Sequence, residues 1–152
     1  MRRVCMGGTF DVFHIGHEAL IQEALDVSEH VLIGLTTDER AGKGRTGFVV
    51  TPYADRKNRL AEWLRSAEVG KRVEIVPLND DWGPAALGED FEGIIVSEET
   101  EGMARVLNQV RKERGVDKLE VIIVPLVQAY DGNRISSSRI RNGEIDSEGL
   151  RA

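Results

Sequence analysis

Short runs of nearly unbroken hydrophobic residues, separated by stretches of helical period, constrain this chain more than any other feature. The runs are Arg3–Met6, which ends in Gly7-Gly8, His30–Leu35 (HVLIGL), Val73–Pro77, Glu92–Val96 (EGIIV) and Leu119–Val124 (LEVIIV). A strand with one wet face alternates polar and apolar residues, whereas a strand covered on both faces is apolar throughout. Between the runs, Leu20, Ile21, Ala24 and Leu25 fall on one side of a helix over Ile15–Val27. Thr51 and Pro52 offer an N-cap followed by proline at the first helical position, and the helix they open carries Leu60, Trp63 and Leu64 on one face. Ser97 offers the cap of a long amphipathic helix with Met103, Val106, Leu107 and Val110 as its stripe, closing at Gly115. After an Asp131-Gly132 turn, Ser136 caps a last short helix. This alternation predicts an α/β fold, a doubly wound five-stranded parallel sheet with helices on both faces and right-handed crossovers. Ligands of such sheets bind at the carboxyl ends of the strands, where the strand order reverses.

The 152 residues suit one domain spanning 1–152. Asp38–Gly47, rich in glycine and in Lys/Arg, reads as a loop, Leu78–Asp90 as an irregular acidic loop, and the chain from about Gly143 as a polar, acidic tail. Lys and Arg number 20 against 26 Asp and Glu, a net charge of −6. That balance disfavours a nucleic-acid binder, whose footprint is basic, but leaves room for a small polyanion held by a local cluster of donors. No run approaches the ~18 apolar residues of a membrane span. The first residues lead into a strand without a signal-peptide hydrophobic region, so a cytoplasmic protein with no membrane partner is expected. A single cysteine, Cys5, excludes an internal disulfide framework and a multi-cysteine metal site, and reads as a small core residue.

The segment from Gly7 to His17 (GGTFDVFHIGH) joins the first strand to the first helix. Two glycines allow a tight turn and close backbone approach to a ligand. The helix beyond presents unpaired N–H groups and the positive end of its dipole, a ready anion site. His14 and His17, spaced i and i+3, share one face of the first turn. Gly16 removes the side chain between them, so that a bulky group can approach. Imidazoles placed there donate hydrogen bonds to phosphate oxygens, and such donors act most strongly where charge develops in a transition state. A two-histidine metal site is the weaker reading, because zinc needs a third protein ligand and no Cys or His stands ready to supply it. Far downstream lies Ile135-Ser136-Ser137-Ser138-Arg139-Ile140-Arg141. Its serines cap a helix and offer hydroxyls to phosphates. Arg139 and Arg141 sit near the helix start, where the dipole disfavours cations; an anion bound alongside makes sense of them.

Gly-Thr-Phe-Asp followed by His-x-Gly-His, with Ile-Ser-Ser-Ser-x-Ile-Arg more than a hundred residues later, resembles the HxGH nucleotidyltransferases. Nearly end to end, the chain is most similar to the phosphopantetheine adenylyltransferases of archaeal and eukaryotic type. The likeness includes Ile33–Asp38, Pro77–Pro84, Ile95–Thr100 and Asp131–Asp146. It implies a Rossmann-like nucleotidyltransferase fold and transfer of AMP from ATP to 4′-phosphopantetheine, giving dephospho-CoA and pyrophosphate, with Mg²⁺ accompanying ATP. By motif position it implies an ATP site of Gly8, Thr9, Phe10, His14, His17, Glu98, Ser136, Ser137, Ser138 and Arg139. His17 would stabilise the transition state, His14 support the triphosphate, and Arg139 hold its far end. The acceptor would meet Thr9, Asp11 and Lys43, with Arg45 as the alternative to Lys43. Ser97-Glu98-Glu99-Thr100 stands where bacterial members carry arginines, which leaves open what grips the acceptor. Glu98 beside a ribose and Ser97 as a cap are both consistent with the residues, and Arg56, Lys57 and Arg59 are either acceptor clamps or a solvated helix face. Sister enzymes using nicotinamide mononucleotide, FMN or glycerol 3-phosphate, and a non-catalytic nucleotide-binding module, are the rival readings. The oligomeric state, monomer or small homo-oligomer, is open.

Overall fold

The computed structural model describes residues 1–42, 51–80, 83, 88 and 90–152. Each hydrophobic run is a strand: β1 (Arg3–Gly8), β2 (His30–Thr36), β3 (Val73–Leu78), β4 (Gly93–Ser97) and β5 (Glu120–Val124). They pair in parallel in the order β3-β2-β1-β4-β5. The helices are α1 (Ile15–Val27), α2 (Asp38–Gly42), α3 (Tyr53–Ser66), α4 (Glu101–Glu113) and α5 (Ser137–Arg141). Winding proceeds from β1 outward to β3, then returns to β4 on the other side of β1. The expected doubly wound sheet is therefore present, and its switch point lies between β1 and β4, where a crevice opens at the carboxyl ends. Among the described residues no helix is long and apolar enough to cross a membrane.

Period-two alternation divides the strand residues between two layers. Val4 and Met6, with Val31, Ile33 and Leu35, pack against Ile21, Ala24 and Leu25 of α1 and Leu60 and Leu64 of α3. Cys5 and Leu32 face the other way, toward Leu107 of α4, Phe91 and Leu119. Cys5 is thus the core residue its position predicts, and burial pushes its thiol up to about 12.

The structure corrects several details. The stripe of α4 is not Met103-Val106-Leu107-Val110: Ala104, Leu107 and Arg111 face inward, while Met103 and Val106 are 44% and 54% exposed. Arg111 sets this rotation, because its buried guanidinium donates to the carbonyls of Asp117 (2.7 Å) and Gly88 (2.9 Å). Ser97 ends β4 instead of capping α4; the N-cap is Thr100, whose Oγ1 accepts from the Ser97 N–H at 3.0 Å. Pro52, not Thr51, is the N-cap of α3, because the Pro52 carbonyl accepts the first helical N–H groups, from Asp55 (3.0 Å) and Arg56 (3.1 Å). The start of the expected Asp38–Gly47 loop is α2, and residues 43–47 lie outside the described residues.

The polar tail is not a loose appendage. Ile145 is 1% exposed and forms a small core with Ala129 and Ile135, against which Ile15, Val127 and Ile140 pack. Hydrogen bonds from Ile15 N to Ser147 O (3.0 Å) and from Tyr130 N to Gly149 O (2.8 Å) tie it to the start of α1 and to the segment before α5. Gly149 has φ of 79°, and a Cβ there would come within 3.2 Å of the Ala129 Cα. Ile145→Ala is expected to lower unfolding free energy by about 2–5 kcal/mol, the usual cost of truncating a buried Ile. Urea unfolding checks this; a loss below about 0.5 kcal/mol, typical of a surface site, would mean the tail is not held.

Candidate active site

The turn between β1 and α1 is fixed from below. Thr36, at the end of β2, places its hydroxyl 3.0 Å from the Gly8 carbonyl and 2.9 Å from Thr9 Oγ1. Phe10 has φ of 50°, and its ring is buried against His17 with centroids 4.7 Å apart. A bulky residue stays in that conformation only where its surroundings over-determine it. Arg56 supplies much of the constraint. Its side chain is wholly buried and donates to the carbonyls of Thr9 (2.9 Å), Thr36 (2.7 Å) and Thr51 (2.6 Å) while pairing with Asp38 (2.8 Å). Arg56 is therefore a strut under the turn and not an acceptor clamp; Lys57 and Arg59 lie on the exposed face of α3.

The two histidines are oriented by the backbone they cap. His14 is the N-cap of α1, and its Nδ1 accepts from Gly16 N at 3.0 Å. His17 Nδ1 accepts from His14 N at 3.2 Å. With Nδ1 an acceptor in both rings, the neutral tautomer carries its proton on Nε2, on the far side of each ring. Burial pushes His14 down to about 4, helped by the nearby charge of Arg134, and pushes His17 down to about 3, helped by His14. The rings stack at 3.8 Å and 19°. Two neutral imidazoles thus become a pair of adjacent N–H donors. Gly16 serves this arrangement directly: a Cβ there would stand 2.8 Å from His14 Cε1 and 3.2 Å from Ile135 Cγ2. The missing side chain makes room for the histidine itself, where the sequence suggested room for a ligand.

The distant serine segment meets this turn. Ser137 Oγ accepts from Val12 N (3.2 Å) and donates to Val12 O (3.0 Å), joining residues 125 positions apart. Asp11 adds a second joint, since Oδ1 accepts from Thr51 N at 2.9 Å and Oδ2 pairs with Arg141. The buried Asp11 carboxylate therefore links the β1–α1 turn, the approach to α3 and α5, and it also borders the cavity that these segments enclose. Ser136 is the N-cap of α5, its Oγ accepting from Arg139 N at 3.2 Å.

Together these segments line a cavity of about 460 Å³ at the switch point. Gly8, Thr9, Phe10, His14, His17, Ser136, Ser137 and Ser138 all reach it, with an apolar wall from Leu20, Val124, Pro125, Leu126 and Val127. Arg139 does not. It pairs with Asp131 and with Glu144 (2.9 Å) and donates to the carbonyls of Asn133 (3.4 Å) and Arg134 (3.0 Å), bracing the turn ahead of the serines. Its guanidinium holds Asp131 below the usual carboxylate range. Arg134 and Arg141 line the cavity instead, and the carboxylates there are Asp11 and Glu99, while Glu98 is not among its lining residues. Arg134 is a basic residue two positions ahead of the Ser136 cap, and that position is its signal in the sequence. Lys43 and Arg45 lie outside the described residues. Among the described residues no three His, Cys, Asp or Glu gather to hold a metal ion.

The cytidylyltransferase-like family profile matches residues 5–143. The phosphopantetheine adenylyltransferase of Methanothermobacter thermautotrophicus is 44% identical over 146 residues, covering 96% of this chain and 87% of that protein. The enzyme of the same name from Methanosarcina barkeri is 45% identical over 152 residues, covering 98% and 92%. Among solved structures, a protein of unknown function from Archaeoglobus fulgidus superposes with a TM-score of 0.71 at 32% identity, covering 82% of this chain and 99% of that one.

The lowered histidines make stability depend on pH. An unfolded histidine titrates near ~6.5, so as pH falls the unfolded chain takes up these two protons first and the folded chain only at about 4 and 3. Their contribution is complete above pH ~6.5 and is lost as pH falls through that window toward the folded values. Urea midpoints should therefore drop more steeply from pH 7 to 5 in the wild type than in the double variant His14→Gln, His17→Gln. Equal slopes would mean that the imidazoles titrate alike in both states.

Proposed function

The chain belongs to the cytidylyltransferase-like family and, within it, to the phosphopantetheine adenylyltransferases, and from that premise we propose that its cavity joins the AMP of ATP to 4′-phosphopantetheine. An oxygen of the acceptor phosphate attacks the α-phosphorus of ATP, a new P–O bond forms, the bond from the α-phosphorus to the β-bridging oxygen breaks, and pyrophosphate leaves. Dephospho-CoA is the other product. A phosphate monoester already carries a nucleophilic oxygen, so no side chain need be activated as nucleophile; the protein positions two polyanions and stabilises the charge that develops between them.

The observation that carries this reading is the convergence of two backbone-oriented imidazoles and the Ser136–Ser138 segment on one cavity between β1 and β4. The Nε2–H groups of His14 and His17 donate to oxygens of the α- and β-phosphates, His17 most strongly in the transition state. Thr9, Phe10 and Gly8 bring the turn's backbone and the Thr9 hydroxyl to the phosphates. Ser136 and Ser138 hold the triphosphate's far end, with Ser137 tying their helix to the turn. The apolar wall of Leu20 and Val124–Val127 receives the base. Mg²⁺ enters on the phosphate oxygens as part of the nucleotide substrate.

For the acceptor, a second cleft of about 190 Å³ lies on the α4 side of the sheet, lined by Cys5, Leu32, Leu78, Met103 and Leu107 among others. It shares Met6, Gly7, Gly8, Ile95, Val96 and Thr100 with the first cavity, so the two meet over the β1–α1 turn. The arm's carbon skeleton occupies this apolar cleft and presents its phosphate at Gly8 and Thr9. Lys43 and Arg45 follow closely on Arg40, which lines the same cleft, and one of them neutralises the acceptor phosphate.

A pyrophosphate-release assay pairing ATP or CTP with 4′-phosphopantetheine, FMN, nicotinamide mononucleotide or glycerol 3-phosphate tests the assignment. Turnover is expected with ATP and 4′-phosphopantetheine alone, and turnover only with another acceptor would overturn it. In the same assay His17→Ala should lower kcat by ~100–1000-fold, the usual cost of losing a donor to developing charge, with little change in ATP affinity. An unchanged kcat would remove His17 from the reaction.

A further inference from the structure

The triphosphate and the acceptor phosphate bring several negative charges to a cavity whose two imidazoles are neutral. Two arginines of the serine segment already have carboxylate partners within the fold: Arg139 holds Asp131 and Glu144, and Arg141 holds Asp11 while donating to Ser138 Oγ at 3.1 Å. Arg134 differs. It lines the cavity and pairs with Glu99, which lines it from the turn after β4, with the side chains 47% and 52% exposed. An ion pair this wet contributes little and is readily exchanged, whereas a guanidinium meets phosphate oxygens with two parallel donors. The backbone of Arg134 is anchored, its carbonyl accepting from Arg139 and its main chain forming an isolated antiparallel bridge with Gln128, so a fixed mount carries a side chain with an exchangeable partner.

We propose that Arg134 is a triphosphate-binding residue held in place by Glu99. When ATP enters, the guanidinium exchanges the Glu99 carboxylate for β- and γ-phosphate oxygens and stays with the pyrophosphate as it leaves. This rests on the reading that the cavity takes ATP, and it explains why a carboxylate borders a site built for polyanions.

The test is a double-mutant cycle of Arg134→Met and Glu99→Gln, with Arg134→Lys as the conservative variant, read by calorimetric titration with ATP and by pyrophosphate release with ATP and 4′-phosphopantetheine. Thermal unfolding of each variant confirms the fold. Arg134→Met should weaken ATP binding about 10–100-fold, the worth of a charge-assisted hydrogen bond, and Arg134→Lys should restore part of it. Glu99→Gln should tighten ATP binding, because the competing anion is gone, and that gain should vanish in the Arg134→Met background. Unchanged ATP affinity in Arg134→Met overturns the proposal. So does a gain from Glu99→Gln that persists without Arg134, or a loss from Glu99→Gln that matches the loss from Arg134→Met. A wild type that releases no pyrophosphate with 4′-phosphopantetheine would instead sink the functional reading, whereas an active wild type matched by Arg134→Met sinks only this one.

Discussion

A backbone N–H bonded to an imidazole Nδ1 occurs twice within the first turn of α1, and the chemistry of the cavity depends on it. The first turn of any helix leaves N–H groups without intrahelical partners. Here two such donors are satisfied by His14 and His17. That single choice caps the helix, selects the tautomer and directs Nε2–H away from the backbone. Burial then keeps both rings uncharged at neutral pH. A neutral donor suits the task, because it stabilises charge as it develops without holding the ground-state polyanion so tightly that the gain cancels.

The rest of the fold keeps this device aligned. Arg56 ties the turn after β1 to the end of β2 and the approach to α3. Ser137 and Asp11 fasten the same turn to α5, and the tail bonds Ser147 to the N–H of Ile15, the residue between the histidine cap and Gly16. These restraints come from residues dispersed along nearly the whole chain, and most are side chains bonded to backbone. Such bonds hold the loop where a catalytic turn needs to be held, at its peptide groups.

Residues that announce themselves by pattern were legible before the structure. The five strands stood out because the sheet buries both their faces, and the GTFD–HxGH and serine segments because their spacing has few other uses. What stayed hidden was the work of buried or paired arginines. Hydrophobic periodicity placed Met103 and Val106 inside and overlooked Arg111, since no apolar scale anticipates a guanidinium satisfied by two carbonyls. Arg139 carried the motif's expectation, yet its carboxylate partners Asp131 and Glu144 turn it away from the cavity and leave Arg134 there. Ser97 resembled a cap, but Thr100 reaches back to its N–H. Ile145 looked like one apolar residue in a polar tail until its partners came from three other segments.

Nitrogen NMR of protein labelled with ¹⁵N in its imidazole rings measures the protonation state of the histidine pair directly. At pH 7 the rings of His14 and His17 should each show an unprotonated Nδ1 and a protonated Nε2, unchanged on titration to pH 5. A proton on Nδ1 of either ring, or an imidazolium at pH 6 or above, would contradict the account.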